Sequence, residues 1–164
     1  FSGEIEVEQI LPTGALSSSM TFERVSGYLS GFANAVDEEE FQNGPWIVKA
    51  FDEIMELSRK GNVYFDQMKV WQMIKEDENE AKVILMNLVN LIYDLGILIY
   101  PFLPETSNKI MKLLNVDVVS TKVGSDLWTN SNHKVLNEIK LAEIELLFNK
   151  LDPEKVLAEK DNSD

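Results

Sequence analysis

The chain has 164 residues, of which 45% are hydrophobic, and it carries a formal net charge of −13. This length and apolar content are sufficient for one domain with a sizeable buried core. The chain contains no cysteine, which excludes disulfide bridges and thiolate metal sites and is typical of a reducing compartment, so we expect a cytoplasmic protein. The negative charge argues against non-specific binding to nucleic acid, because phosphate neutralisation needs a positive field.

Residues 1–20 predict a linker or the end of a preceding domain. They contain Pro12, two glycines and three consecutive serines, a composition typical of loops. The alternation over residues 4–11 would also fit a short strand. The chain starts without an initiator methionine or a targeting signal, so we interpret it as a piece of a longer protein. We expect a helical domain over residues 21–160 and a frayed tail over residues 161–164.

Apolar residues at steps of three and four predict an all-α fold, a bundle of about five helices. The expected helices are one after Thr21, one from Trp46 to about Gln67, one from a cap at Asp77 to Pro101, one opened by Pro104, and one over residues 136–157 with a break at Asp152 and Pro153. We assign Phe65 and Met68 to the apolar stripe of the second of these helices.

The stretch from Val83 to Leu103 is long and apolar enough to suggest a membrane span. However, Asn87, Asn90 and Asp94 interrupt it at helical spacing and form one polar face. We therefore expect a buried helix at the centre of a soluble bundle, and no membrane contact.

Catalytic and metal-binding patterns are lacking in the sequence. His133 is the single histidine, and no second histidine or helically spaced pair of carboxylates accompanies it. The acidic run Asp37–Glu40 would point in several directions on a helix and cannot converge on one ion. Because a glycine-rich phosphate loop is also missing, we expect neither a catalytic centre nor a metal or cofactor in this chain.

Trp71 stands out because it falls between two predicted helices, outside the apolar stripe. Lys69, Gln72 and Lys75 flank it, and basic residues slightly outnumber acidic ones between residues 45 and 75. An indole beside ammonium groups can stack on an unpaired base whose phosphates the lysines attract. Alternatively, Trp71 closes one end of the bundle, and the residue types alone leave both interpretations open.

Residues 45–157 resemble the anticodon-binding domain of methionyl-tRNA synthetase, a class I aminoacyl-tRNA synthetase. The segment "PFLPETSNKI" and the closing "LLFNKLDPEKV" resemble later parts of that domain. The most specific part of the resemblance is a set of matches to the family pattern over residues 49–75, namely Lys49, Ala50, Glu53, Ile54, Met55, Leu57, Gly61, Asn62, Tyr64, Asp66, Trp71 and Lys75.

The resemblance implies a helical bundle that recognises the CAU anticodon loop of methionine tRNA, with Trp71 stacked on an anticodon base. We expect Asn62, Lys69, Gln72 and Lys75 to line the same RNA site. The family joins methionine to its tRNA at the expense of ATP. The catalytic signatures of the family are not found here, so ATP would bind a catalytic domain elsewhere in the same chain or in another subunit.

Three departures from the family pattern keep a second interpretation open. Val70 stands where the family has a proline, and Asn149 and Lys150 replace a Pro-Arg pair. Arg24 and Asn34 do not fit the Asn-x-x-x-Arg pattern of the family's first helix. The alternative is a divergent, non-catalytic helical module for protein interaction or structure, which kept the fold and lost tRNA binding.

Overall fold

The computed structural model describes residues 4–6, 17–34, 39, 44–116, 138–150 and 152. Within these ranges it contains five helices and one two-stranded ribbon. In chain order they are β1 (Glu4–Glu6), α1 (Ser19–Ala33), α2 (Trp46–Met68), α3 (Val70–Glu76), α4 (Glu78–Ile99), α5 (Pro104–Leu113) and β2 (Glu138–Lys140). The predicted all-α class is confirmed, with the β ribbon as a small addition.

Helices α1 and α2 form an antiparallel pair. Near one end of the pair, Gly31 makes room for the ring of Trp46, since a Cβ at Gly31 would lie 2.7 Å from the indole. Further along, the Arg24 guanidinium contacts the Glu53 carboxylate at 3.2 Å. Helix α1 begins at Ser19, two residues before the predicted cap at Thr21.

Helix α4 is the central element, and it packs against α2, α3 and α5. The predicted cap is confirmed, because the Asp77 carboxylate accepts hydrogen bonds from the N–H groups of Asn79 and Glu80, both at 3.0 Å. The Asp77 N–H itself donates to Met73 O at 2.8 Å. Helix α4 therefore starts where α3 ends, without an intervening loop.

The polar face of α4 is directed into the protein. Ser18 Oγ donates to Asp94 Oδ2 at 2.5 Å, Asn87 Nδ2 donates to Tyr64 Oη at 3.3 Å, and Asn90 Nδ2 donates to a backbone carbonyl one turn earlier at 3.0 Å. In the described part of the chain, α4 alone is long and apolar enough to cross a membrane, and 56% of its apolar window is buried in the protein. These contacts are those of a core helix.

Helix α5 folds back onto the end of α4 at Gly96. Ser107 Oγ donates to the Gly96 carbonyl oxygen at 2.6 Å. A Cβ at Gly96 would lie 2.6 Å from Met111 Cε and 3.0 Å from Ile110 Cγ2. The missing side chain therefore allows the two helices to approach each other closely.

The prediction of a helix over residues 136–157 is wrong for the residues that the structure describes there. Glu138–Lys140 form β2, which pairs antiparallel with β1 so that Ile139 lies opposite Ile5. Residues 141–150 contain no helix. They are attached to α5 instead, because Ala142 N donates to Leu113 O at 2.9 Å. The ribbon also places a strand inside the predicted linker of residues 1–20. His133 and the predicted tail over residues 161–164 lie outside the described residues.

Candidate nucleic-acid interface

The site that the sequence predicts lies where α2 passes into α3, and we refer to residues 61–76 as the α2–α3 corner. The turn is made at Lys69, whose φ of 43° and ψ of 52° are left-handed. Its N–H donates to Asp66 O at 3.3 Å, and its carbonyl oxygen accepts from Gln72 N at 2.8 Å and Met73 N at 3.1 Å. One residue therefore ends α2 and starts α3, at a strain of about 1–2 kcal/mol for a side chain other than glycine.

Trp71 lies in the first turn of α3. The sequence placed it in a short segment between helices, which is wrong, because that segment is itself helical. The position of the indole is therefore set by a seven-residue helix. The turn at Lys69 fixes the start of this helix, and the cap of α4 fixes its end.

The inner side of the corner accounts for two residues of the family pattern. A Cβ at Gly61 would lie 2.4 Å from Leu91 Cδ2, so Gly61 allows α2 and α4 to approach. Tyr64 is buried, and its hydroxyl oxygen accepts the hydrogen bond from Asn87. Val70, at the start of α3, is 3% exposed and anchors the short helix to the core.

The outer side of the corner is aromatic and apolar. Trp71 is 51% exposed and Phe65 is 40% exposed, and their ring centroids are 5.8 Å apart at an angle of 55°. Ile74, one turn after Trp71, is also exposed. The indole therefore does not close the end of the bundle, and its position agrees with the interpretation of Trp71 as a surface platform.

The polar residues predicted for the site are all exposed. Lys69, Gln72 and Lys75 lie on the turn and on α3 together with Trp71, and Lys75 is one helical turn after it. Asn62 lies on α2, one turn before Phe65 and on the same face. Neither lysine forms an ion pair within the part of the chain that the structure describes.

Sequence reasoning missed Phe65. Its position on the apolar stripe of α2 predicted a core residue, and so did that of Met68, yet both are exposed. They lie in the last turns of α2, where the core ends and the chain reverses at Lys69. The signal that could have indicated this is the density of charged and amide side chains in residues 66–77.

Two other residues that depart from the family pattern, Asn34 and Arg24, lie away from the corner. Asn34 caps the C-terminal end of α1, where its Nδ2 donates to Ser30 O at 2.9 Å. That end faces the start of α2, which lies about 33 Å along the helix from Met68 at 1.5 Å per residue. Arg24 is paired with Glu53, about 18 Å along α2 from Phe65 by the same rise.

No group of three or more potential metal ligands occurs among the residues that the structure describes. The α2–α3 corner presents an exposed aromatic pair, the ammonium groups of Lys69 and Lys75, and the predicted amide side chains of Asn62 and Gln72.

Comparison with known proteins agrees with this arrangement. Residues 21–161 match the family model described as the anticodon binding domain of methionyl tRNA ligase. The methionine–tRNA ligase of Borreliella afzelii (strain PKo) is 39% identical over 111 residues, which cover 67% of this chain and 14% of that protein. The methionine–tRNA ligase of Pyrococcus horikoshii is 32% identical over 158 residues, covering 85% of this chain and 20% of that protein.

A solved structure supports the fold. The crystal structure of the apo form of methionyl-tRNA synthetase from Mycobacterium tuberculosis superposes with a TM-score of 0.61 at 16% identity, and it covers 92% of this chain and 28% of that chain. The chain thus spans between 14% and 28% of the length of these relatives. Since the family model covers most of its length, the chain belongs to the family of anticodon-binding domains of methionyl-tRNA ligases.

Proposed function

We propose that the α2–α3 corner recognises the CAU anticodon loop of methionine tRNA. The observation that carries this proposal is the exposed indole of Trp71, held in the first turn of α3 between Lys69 and Lys75. Sequence-specific recognition of RNA targets unstacked loop bases, which proteins bind with aromatic planes and hydrogen bonds. The corner offers both kinds of group on one surface.

Each predicted residue has a chemical role in this proposal. The indole of Trp71 stacks on one base of the loop, which is worth about 1–3 kcal/mol. The ammonium groups of Lys69 and Lys75 attract the phosphates on either side of that base. The amides of Asn62 and Gln72 can both donate to and accept from base edges.

The local charge of the α2–α3 corner is compatible with RNA binding, although the chain as a whole is acidic. Lys69 and Lys75 offset Asp66 and Glu76 within the α2–α3 corner, whereas the whole chain carries −13. An RNA loop is therefore repelled less at the corner than the net charge of the whole chain suggests. Because the net charge of the chain remains unfavourable, the affinity for RNA depends on stacking and base contacts. Affinities of different variants should be compared at one fixed salt concentration.

The complete enzyme would lie in the cytoplasm and join methionine to its tRNA at the expense of ATP. The relatives carry the name methionine–tRNA ligase, and this chain spans a minor part of their length. We therefore place the catalytic domain and its ATP outside this chain, in the same polypeptide or in an associated subunit. The contribution of this chain is to select the tRNA.

The test is the affinity for an anticodon stem-loop RNA with a CAU loop, compared with the same stem carrying a scrambled loop. Trp71→Ala is expected to weaken binding to the CAU loop by about 5- to 150-fold, which corresponds to the loss of one stacked base. Trp46→Phe, which alters a tryptophan at the far end of α2, should bind as the parent does. Equal, weak binding of both RNAs by all three proteins would refute the proposal.

A protein-interaction module is the second candidate, and the C-terminal segment favours it. Ile144, Leu146 and Phe148 are 79%, 79% and 64% exposed, whereas Leu147 between the last two packs against the core. A pull-down from cell extract that recovers a protein partner without tRNA would support this candidate, provided that serine substitutions at these three positions abolish the recovery. Enrichment of methionine tRNA would exclude it.

A further inference from the structure

We propose that Phe65 is a positioning residue for Trp71, whose ring holds the indole so that one face stays open to a base. This inference rests on the proposed function and names a further residue of the same site. It arises from the contact between the rings of Phe65 and Trp71, which crosses the α2–α3 corner. The ring centroids are 5.8 Å apart, and the angle between the planes is 55°.

The contact joins two different helices. Phe65 belongs to the last turns of α2, and Trp71 belongs to the first turn of α3, beyond the left-handed turn at Lys69. An indole that is 51% exposed would otherwise sample several side-chain rotamers, and binding a base would then have to restrict them. A tilted ring at 5.8 Å is within the range that aromatic pairs prefer, so it favours one orientation.

The backbone alone does not provide this restriction. A proline at position 70 would restrict φ covalently at the start of α3, whereas the φ of Val70 is restricted only by the helix and its packing. Val70 is 3% exposed, so its side chain attaches the first turn of α3 to the core. This attachment fixes where the Trp71 Cα lies, but not which way the ring turns. The ring of Phe65 supplies the second constraint.

Phe65 is not simply a core residue near the surface. Its exposure of 40% is close to that of Trp71 and far from the 2% of the core residue Phe22. Position 65 is also one of the unspecified positions in the family pattern over residues 62–66. In this chain an aromatic residue at position 65 occurs together with valine at position 70.

A double-mutant cycle tests the inference with the CAU stem-loop RNA as the probe. Phe65→Ala should weaken binding by about two- to tenfold in the parent, the range expected for one aromatic pair. In the Trp71→Ala background the same substitution should change binding by less than about 1.5-fold, because a residue that acts through Trp71 has no effect without it. Phe65→Tyr keeps the ring and should bind within about twofold of the parent.

A second measurement needs no RNA. With 5-fluorotryptophan incorporated, the ¹⁹F resonance of Trp71 is assigned by its loss in Trp71→Phe. Phe65→Ala should move this resonance toward the position of a solvent-exposed indole and leave the other two tryptophan resonances unchanged. Unchanged far-ultraviolet circular dichroism establishes that the variant is folded.

The outcomes separate the two proposals. If Phe65→Ala weakens binding equally with and without Trp71, Phe65 acts independently, and the inference is overturned while the proposed function stands. An unchanged Trp71 resonance in Phe65→Ala overturns it as well. If Trp71→Ala binds the CAU loop as the parent does, the proposed function fails, and the fluorine resonance alone decides whether Phe65 positions the indole.

Discussion

Helix α4 and the α2–α3 corner each hold residues whose polarity is opposite to that of their surroundings. In α4, Asn87, Asn90 and Asp94 lie within the most apolar helix of the chain. At the corner, Trp71 and Phe65 lie on the surface beside lysines. Residues of both kinds need explanation, because buried polar groups and exposed apolar patches are the informative exceptions to the usual distribution.

The two regions resolve these exceptions differently. The polar side chains of α4 find partners inside the protein, at Ser18, at Tyr64 and on the helix backbone. Among the polar side-chain atoms of α4 that the structure describes, Asn87 Oδ1 stays buried without a hydrogen-bond partner. The same interior raises the pKa of Tyr93 above its usual value of 10.0, first because the phenol is buried and second because Asp94 is negative.

At the corner, the aromatic rings contact each other and leave much of their surface in water. We interpret a polar side chain with a partner inside the protein as one that stabilises the fold. We interpret an aromatic side chain left in water as one available to an external ligand. This distinction predicts that substitutions in α4 lower the stability strongly and that substitutions at the corner lower the RNA affinity instead.

The largest loss of stability is expected for Leu98→Ala. Leu98 is 0% exposed in α4, so its truncation leaves a cavity and should lower the free energy of unfolding by about 2–5 kcal/mol. Urea denaturation followed by circular dichroism measures this. Leu146→Ala, the same change at a residue that is 79% exposed, should cost less than about 0.5 kcal/mol. Equal losses in the two variants would contradict the central position of α4.

An intermediate loss is expected for Ser18→Ala. Ser18 precedes α1, but its side chain makes no capping bond and donates to Asp94 instead. Loss of a hydrogen bond to a charged group should lower the free energy of unfolding by about 1.5–3 kcal/mol. Ser17→Ala alters an exposed hydroxyl next to it and serves as the control. Similar values for the two variants would show that the contact with Asp94 adds nothing to stability.

Of the substitutions aimed at the core and the corner, Trp71→Ala is expected to cause the smallest loss of stability, about 0.5–1.5 kcal/mol, because half of the ring is in water and its aromatic contact is a single one. The same denaturation experiment measures it, with Trp46→Ala as the matched change at a ring that packs against Gly31. If Trp71→Ala were the more damaging of the two, the indole would be structural, and the distinction between core and corner would not hold.

Helices α2, α4 and α5 could be predicted because their signals are local. Pro45 directly precedes α2, and Pro104 is the first residue of α5. The Asp77 carboxylate caps the helix that follows it, and that helix ends just before Pro101. Helix α3 was missed because seven residues are too few for a periodic pattern. Its start depends on the left-handed turn at Lys69, which the residue type does not indicate.

The C-terminal prediction failed for a non-local reason. Residues 138–140 pair with residues 4–6 at the other end of the chain, and no pattern within residues 136–157 indicates that partner. The candidate site shows the same limit. The lysines around Trp71 left both an exposed and a packed ring open, and the exposure of Phe65 depends on where α3 lies relative to α2.

The β1–β2 ribbon has a mechanical consequence. It brings residues 4–6, which come before the bundle, next to residues 138–140, which come after it. Paired strands lie about 4.8 Å apart, so residues 4–6 are held beside β2, whose Ile139 is 4% exposed and belongs to the hydrophobic core. A force applied to the chain at residues 4–6 therefore acts directly on the core of the bundle, through the pairing of the two strands.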